Sequence, residues 1–308
     1  MNTGVIKDKA IISKRWGRRS VKERIFDAAN ILFILMLAIT TVYPMLYTVF
    51  ASFSDARALL KHEGALIFPL APMTLQGYFM TFSNPNITMG FINTACMVIS
   101  GTVIGVIMTM LGAYVVTRKK FKPRGIMMKA ILVTMFFSGG IIPTFFVVRS
   151  VGLYNNFWAM VIPSALNTYN LIILRTFFLS IPDSLEESAV LDGANDMQVL
   201  FKIFLPLSMP ALAVITLYYA VDYWNSWYPA LLYVRDRKLY PLQMFLRELL
   251  ILNENVESAS GKQMVSEVYT RELVKYCTVV VSTVPILILY PFLQKYFVKG
   301  VMIGAIKG

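Results

Sequence analysis

Residues 181–206 read Ile181-Pro182-Asp183-Ser184-Leu185-Glu186-Glu187-Ser188-Ala189-Val190-Leu191-Asp192-Gly193-Ala194-Asn195-Asp196-Met197-Gln198-Val199-Leu200-Phe201-Lys202-Ile203-Phe204-Leu205-Pro206. The stretch is polar and dense in helix punctuation, while long apolar runs flank it on both sides. Ser184 with Glu187 three residues on matches a capping box, and Asp183 adds negative charge at the same helix start. The spacing predicts a short helix from about Leu185 to Leu191. Gly193 then supplies a permissive turn. Asn195 or Asp196 caps a second helix through Phe204, and Pro206 starts the next segment. The product is a helix–turn–helix elbow held between two apolar runs.

Outward from the elbow, composition sets the class. The chain is 57% hydrophobic and 15% charged. Ordinary globular chains carry about 45–50% apolar and about 25% charged residues. A membrane protein follows. The net charge of +12 is placed unevenly. Lys7, Lys9, Lys14, Arg15, Arg18, Arg19, Lys22 and Arg24 precede the first apolar run. Arg118, Lys119, Lys120, Lys122, Arg124 and Lys129 fill a short gap between two others. This is positive-inside patterning, with anionic lipid as the partner and no nucleic acid. Cys96 and Cys277 lie in apolar runs and read as small hydrophobes. The first apolar run is too long for a signal peptide and reads as an uncleaved span.

A span needs about 20 mainly apolar residues. Six stretches qualify: Ala28–Phe53, Phe91–Val116, Ala130–Val148, Phe157–Leu179, Leu207–Tyr233 and Tyr276–Leu293. The expected fold is an all-α integral membrane protein with six transmembrane helices. Both basic clusters fix their ends as cytoplasmic, so alternation puts both termini and the elbow between spans four and five inside. Residues 1–27 form a basic cytoplasmic segment, 28–298 the transmembrane domain, and 299–308 a cytoplasmic tail. Ser54–Gly90, Arg149–Asn156 and the loop 235–275 fall outside. That last loop carries an amphipathic helix near Leu242–Leu252. Gly101 and Gly105 have small-xxx-small spacing for close helix packing. Gly139, Gly140 and Pro143 predict a kink in span three.

Within the elbow, Glu187-Ser188-Ala189, two residues, Asp192-Gly193-Ala194, then Phe201, Ile203 and Leu205-Pro206 resemble the EAA loop of ABC importer permeases. Ser188 departs mildly from the small second residue of that triplet. The resemblance implies coupling helices that dock on a cytoplasmic ATPase through Glu186, Glu187, Ser188, Ala189, Asp192, Gly193, Ala194 and Phe201. The C-terminal Phe297-Val298-Lys299-Gly300 … Gly304-Ala305-Ile306-Lys307-Gly308 is similar to the tail of maltose-type sugar permeases. Lys299, Gly300 and Gly304 are by that likeness ATPase contacts. The longer outer loop resembles the LplC-type branch, associated with larger oligosaccharides. The family implies a partner permease, two ATPase subunits and an extracytoplasmic binding protein. It implies no cofactor on this chain, with ATP and Mg on the partner ATPase.

The outer half of span five groups Tyr219, Asp222, Tyr223, Trp224 and Asn225. Flat aromatic faces suit sugar rings, and polar groups suit hydroxyls. An ionisable group inside an apolar run normally faces a cavity or a partner. The Trp224-Asn225 pair also resembles the pair found here in carbohydrate permeases. Asn167 and Asn170 of span four join this set as expected substrate-path residues, with hydrogen bonding between helices as the equal alternative. Arg175 snorkels to the interface or meets the partner permease. Nothing in the chain resembles an ATP site or an enzyme's nucleophile or metal set. Gly261-Lys262-Gln263 lacks the rest of a P-loop, and His62 is the only histidine. The reading is one permease subunit of an oligosaccharide importer in the plasma membrane, working by alternating access. The alternative is an ion-coupled transporter or channel without an ATPase. Against it, no inverted repeat is apparent.

Overall fold

The structure is a computed structural model, and residues 20–254 and 271–288 are described. It divides into two compact units, residues 1–74 and 75–308. In the first, helix α1 (Val21–Ser52) opens on a capping box: Ser20 accepts from Glu23 N, and Glu23 accepts from Ser20 N at 2.8 Å. Its 32 residues reach roughly 48 Å at 1.5 Å per residue, beyond an apolar bilayer core of about 30 Å. None of its most apolar stretch is buried in the chain. After α2 (Ala56–Lys61) the chain returns to the end of α1. There the Leu66 N–H donates to Tyr43 Oη and the Leu70 N–H to Ser54 Oγ, each at 2.9 Å.

The second unit is built around α4 (Pro85–Thr117), which follows α3 (Gln76–Ser83). Helices α7 (Thr168–Leu179), α10 (Met209–Trp224) and α12 (Leu242–Glu254) pack on it. Gly101 and Gly105 permit the close approach that their spacing predicts. A Cβ on Gly101 would fall inside contact distance of the Tyr223 ring, and one on Gly105 would lie 2.8 Å from the Tyr219 ring. Gly90 does the same for α12, whose Leu242 Cα would lie 3.1 Å from an added Cβ.

Among the described residues, two helices, α1 and α4, are long and apolar enough to cross a membrane, and three bent pairs raise the number to as many as five. The kink expected in span three is a full break. Helices α5 (Arg124–Phe136) and α6 (Ile141–Ser150) lie 117° apart across residues 137–140, where Gly140 takes φ +85°. Span four starts as 3₁₀ turns over Phe157–Met160 and Ile162–Ser164, then bends 44° into α7. Span five is not one helix over Leu207–Tyr233. It stops at Trp224, and α11 (Tyr228–Tyr233) follows after a break. Asn225 closes it by donating its side-chain amide to the Val221 carbonyl at 3.0 Å. Residues 271–288 form helix α13, and the remainder of the sixth expected span lies outside the described residues.

Candidate functional site

The elbow consists of α8 (Asp183–Leu191) and α9 (Asp196–Leu207). Helix α8 starts earlier than expected, and the Ser184/Glu187 capping box is not formed. Pro182 holds the N-cap position without a side-chain cap. Its ring presets the chain for helix one residue further on. Ser184 therefore sits within the helix, where its carbonyl accepts from Ser188 Oγ at 2.8 Å. Asp183 and Glu186 supply the negative charge that a helix start favours.

The turn is as expected. Gly193 takes φ +83°, with nothing within 4 Å of an added Cβ. The Ala194 N–H reaches back to the Ala189 carbonyl at 2.9 Å, the six-to-one bond that ends a helix around a left-handed glycine. Ala189 and Ala194, the residues it joins, both pack on the main core. The small side chains of the motif thus have a local cause: they let the turn lie close to the bundle. Asn195 caps α9 in a reciprocal box with Gln198, both bonds 2.9 Å. One π turn, Leu200–Phe204, precedes Pro206, and α9 meets α10 at 85°.

The elbow is held from an unexpected quarter. Arg118, the residue directly after α4, is 7% exposed. Its guanidinium forms an ion pair with Glu186 of α8 and lies 3.5 Å from Asp196 Oδ1 of α9. The same cation sits 4.8 Å from the Tyr114 ring centre and 5.9 Å from that of Phe204. Tyr114 also donates its hydroxyl to the Asp196 carbonyl at 3.0 Å. Phe204 meets Tyr114 and Phe178 edge-on at 5.4 and 5.3 Å, which brings α7 into the same cluster. Nearby, Lys119 pairs with Asp183 at the surface. Beside the cluster opens a cleft of about 410 Å³ with Tyr114, Val115, Arg118, Phe121, Met197 and Leu200 on its walls. Arg118 is the buried member of this pair; Glu186 keeps 24% of its side chain exposed, so removing one partner costs less than the roughly 3–5 kcal/mol of a fully buried pair. Sequence reasoning placed Arg118 only in a basic run facing lipid. Its spacing of four from Tyr114, at the end of an apolar helix, is the signal that was there.

The eight elbow residues divide by facing. Glu186, Ala189 and Ala194 are partly buried and turned inward. Glu187, Ser188, Asp192, Gly193 and Phe201 are exposed. Lys299, Gly300 and Gly304 lie outside the described residues.

The expected path residues do not form one face. Tyr219 is 2% exposed, accepting from the Asn167 N–H at 2.9 Å and sharing a 2.7 Å hydrogen bond with Thr109. Tyr223 is 3% exposed and donates to the Val161 carbonyl at 3.0 Å. Trp224 donates to the Ser282 carbonyl at 2.9 Å and meets Phe91 edge-on. These three side chains are buried in helix packing, with the rings of Tyr223 and Tyr219 seated on Gly101 and Gly105 of α4. Asp222 and Asn225 are exposed. Asp222 has no ion pair among the described residues. Asn167 caps α7 through its side chain, and Asn170 is buried with its amide nitrogen unpartnered among the described residues. Arg175 on the same helix also has a buried Nε without a partner there.

The site is thus a helical bundle whose long central helix ends against a polar elbow. The chain is 39% identical over 290 residues to the polygalacturonan/rhamnogalacturonan transport system permease protein YtcP of Bacillus subtilis (strain 168), covering 94% of this chain and 100% of that relative. It is 39% identical over 285 residues to protein LplC of the same organism, covering 92% and 96%. The crystal structure of a bacterial ABC transporter involved in the import of the acidic polysaccharide alginate contains a chain that superposes with a TM-score of 0.82. That chain is 31% identical, with 91% of this chain and 99% of it covered. No protein-family model matches the chain. The chain belongs to the permease subunits of carbohydrate ABC transporters, and it is a transporter subunit rather than an enzyme.

Proposed function

We propose that this chain pairs with a second permease subunit to form the pathway of an importer for acidic oligosaccharides. Two ATPase subunits, which bind ATP and Mg, power it, and an extracytoplasmic binding protein supplies the sugar. The chain crosses the plasma membrane six times with both termini cytoplasmic. The basic run after α4 supports this topology, since it puts the elbow on the cytoplasmic side. The observation that carries the reading is the elbow itself. Two capped helices meet at a left-handed glycine and present Glu187, Ser188, Asp192 and Phe201 outward, while their other faces are fastened to the bundle. Such a surface has no use in a transporter that needs no ATPase. The tail 299–308 adds a second contact to the same ATPase pair.

The class of sugar is supported by two relatives, one named for polygalacturonan and rhamnogalacturonan and one for alginate, all of them acidic. Among the proposed path residues, Asp222 and Asn225 are exposed polar ones, with oxygens that can accept hydroxyl hydrogen bonds.

The test is isolation of the tagged chain from its native membrane, with uptake of labelled uronate oligosaccharides measured beside it. An ATPase is expected to co-purify, and uptake should follow ATP rather than the ion gradient. Uptake that collapses with a proton uncoupler at constant ATP, with no ATPase recovered, would establish the ion-coupled alternative.

A further inference from the structure

We infer that Arg118 is a positioning residue for energy coupling, a latch that ties the end of the central helix α4 to both helices of the elbow. The inference rests on the function proposed above. A conventional picture moves the elbow with the helices it connects in sequence, α7 and α10. The geometry adds a third, α4, which has no chain connection to the elbow.

Arg118 sits where the three elements converge. It is the first residue beyond α4, and its N–H still bonds back to Val115 of that helix. Its guanidinium pairs with Glu186 on α8 and approaches Asp196 on α9. Tyr114, one turn back, duplicates the link through its hydroxyl to the Asp196 carbonyl. The cation itself is shielded, at 7% exposure with aromatic rings of α4 and α9 against it, while the Glu186 side chain is 24% exposed and that of Asp196 72%. A cation desolvated in this way depends on its carboxylate partners, because leaving it unpaired is costly. The exposed Lys119–Asp183 pair alone, by contrast, contributes little.

Movement of the elbow is thereby passed directly to α4. Helix α4 carries Gly101 and Gly105, on which Tyr223 and Tyr219 of α10 rest, and Gly90, on which α12 rests. Displacing one end of α4 displaces the seats of both partners. The latch also separates two adjacent carboxylates. Glu186 turns inward to Arg118, and Glu187 points outward. Neighbouring residues of one motif thus have different jobs, one joining the elbow to its own subunit and one free for the ATPase.

The test uses the assembled transporter in vesicles and reads sugar imported per ATP hydrolysed. Arg118→Met should keep the ATPase bound and hydrolysing, while that ratio falls at least fivefold. Glu186→Gln, which spares Arg118 and its aromatic neighbours, should lower it about twofold. The decisive arm restores the link without the charge. Lys119→Cys with Asp183→Cys, placed in the Arg118→Met chain after Cys96→Ser and Cys277→Ser, is joined by a short bismaleimide. The joined form should recover at least half of the lost ratio, which a mere folding role would not produce. An unchanged ratio in Arg118→Met, no recovery on joining, or failure of both Arg118→Met and Glu186→Gln to assemble would each overturn the latch. Failure of the parent reading looks different: the unaltered complex would then show no ATP-dependent uptake at all.

Discussion

At the elbow end of α4 the chain is held by charge, and further along the same helix it is held by shape. At the elbow, one guanidinium serves Glu186 and Asp196 while two rings shield it. Further along, glycines admit the rings of Tyr219 and Tyr223; the Tyr219 hydroxyl meets Thr109 and the Asn167 N–H, and the Tyr223 hydroxyl meets the Val161 carbonyl. The two modes answer to different demands. Packing against glycine is short-ranged and steep, because it is lost within a fraction of an ångström. It suits a part that keeps one geometry. Ion pairs tolerate small displacements, so they can hold two elements together while both move. The contrast teaches that α4 is clamped to α10 and α12 along its length and latched to the elbow at its end.

Three substitutions sharpen that contrast. The largest effect on stability belongs to the shape-held region. Gly101→Val would drive side-chain carbons into the Tyr223 ring, which is pinned by its bond to Val161. Overpacking of this kind costs about 1–3 kcal/mol. The purified complex should lose thermal stability and yield, with no selective loss of ATPase docking. A stability equal to wild type would show that the ring has room to move.

Gly193→Val ranks next. Nothing surrounds the new side chain, so the cost is backbone strain alone, on the order of 1 kcal/mol or more. Its consequence falls on transport. The chain should still enter the membrane while uptake drops at least tenfold, because α8 and α9 change their mutual angle. Gly193→Asn should retain most uptake, since asparagine tolerates the left-handed region. Equal uptake by both variants would remove the turn from the coupling route.

The smallest effect is expected at Asp222→Asn. The side chain is exposed, so stability should stay within about 0.5 kcal/mol. Uptake should fall by less than twofold, as one hydrogen-bond acceptor for sugar hydroxyls weakens. Measuring assembly on the same variant tells more: loss of the partner permease would place Asp222 at the subunit interface instead.

How much was legible follows from the range of the forces involved. The turn at Gly193, the Asn195 cap and the small residues beside them were readable, because their bonds close within a few residues. The onset of α8 was missed by two residues from the expected Leu185, since Pro182 outcompetes the Ser184/Glu187 pattern. The break at residues 137–140 was flagged by Gly139 and Gly140, but its 117° was not. A glycine pair permits many angles, and only the neighbouring helices select one. The amphipathic helix expected near Leu242–Leu252 was read nearly to its ends. Its seat on α4, through the Leu242 N–H to Thr94 Oγ1 at 2.9 Å, was not.

By itself the sequence determined that this is a helical membrane chain and that a capped elbow interrupts its apolar runs. Hydropathy and short-range hydrogen bonding are properties of consecutive residues, so they survive without knowledge of the fold. Only the tertiary structure decided which side of each helix faces protein. Tyr219 and Tyr223 had no assigned neighbours until α4's glycines were found beneath their rings. Arg118 read as one cation among six until Glu186, 68 positions on, proved to be its partner. The physical reason is common to both. A charge or a ring has no fixed meaning until its surroundings are fixed, and those surroundings come from distant parts of the chain.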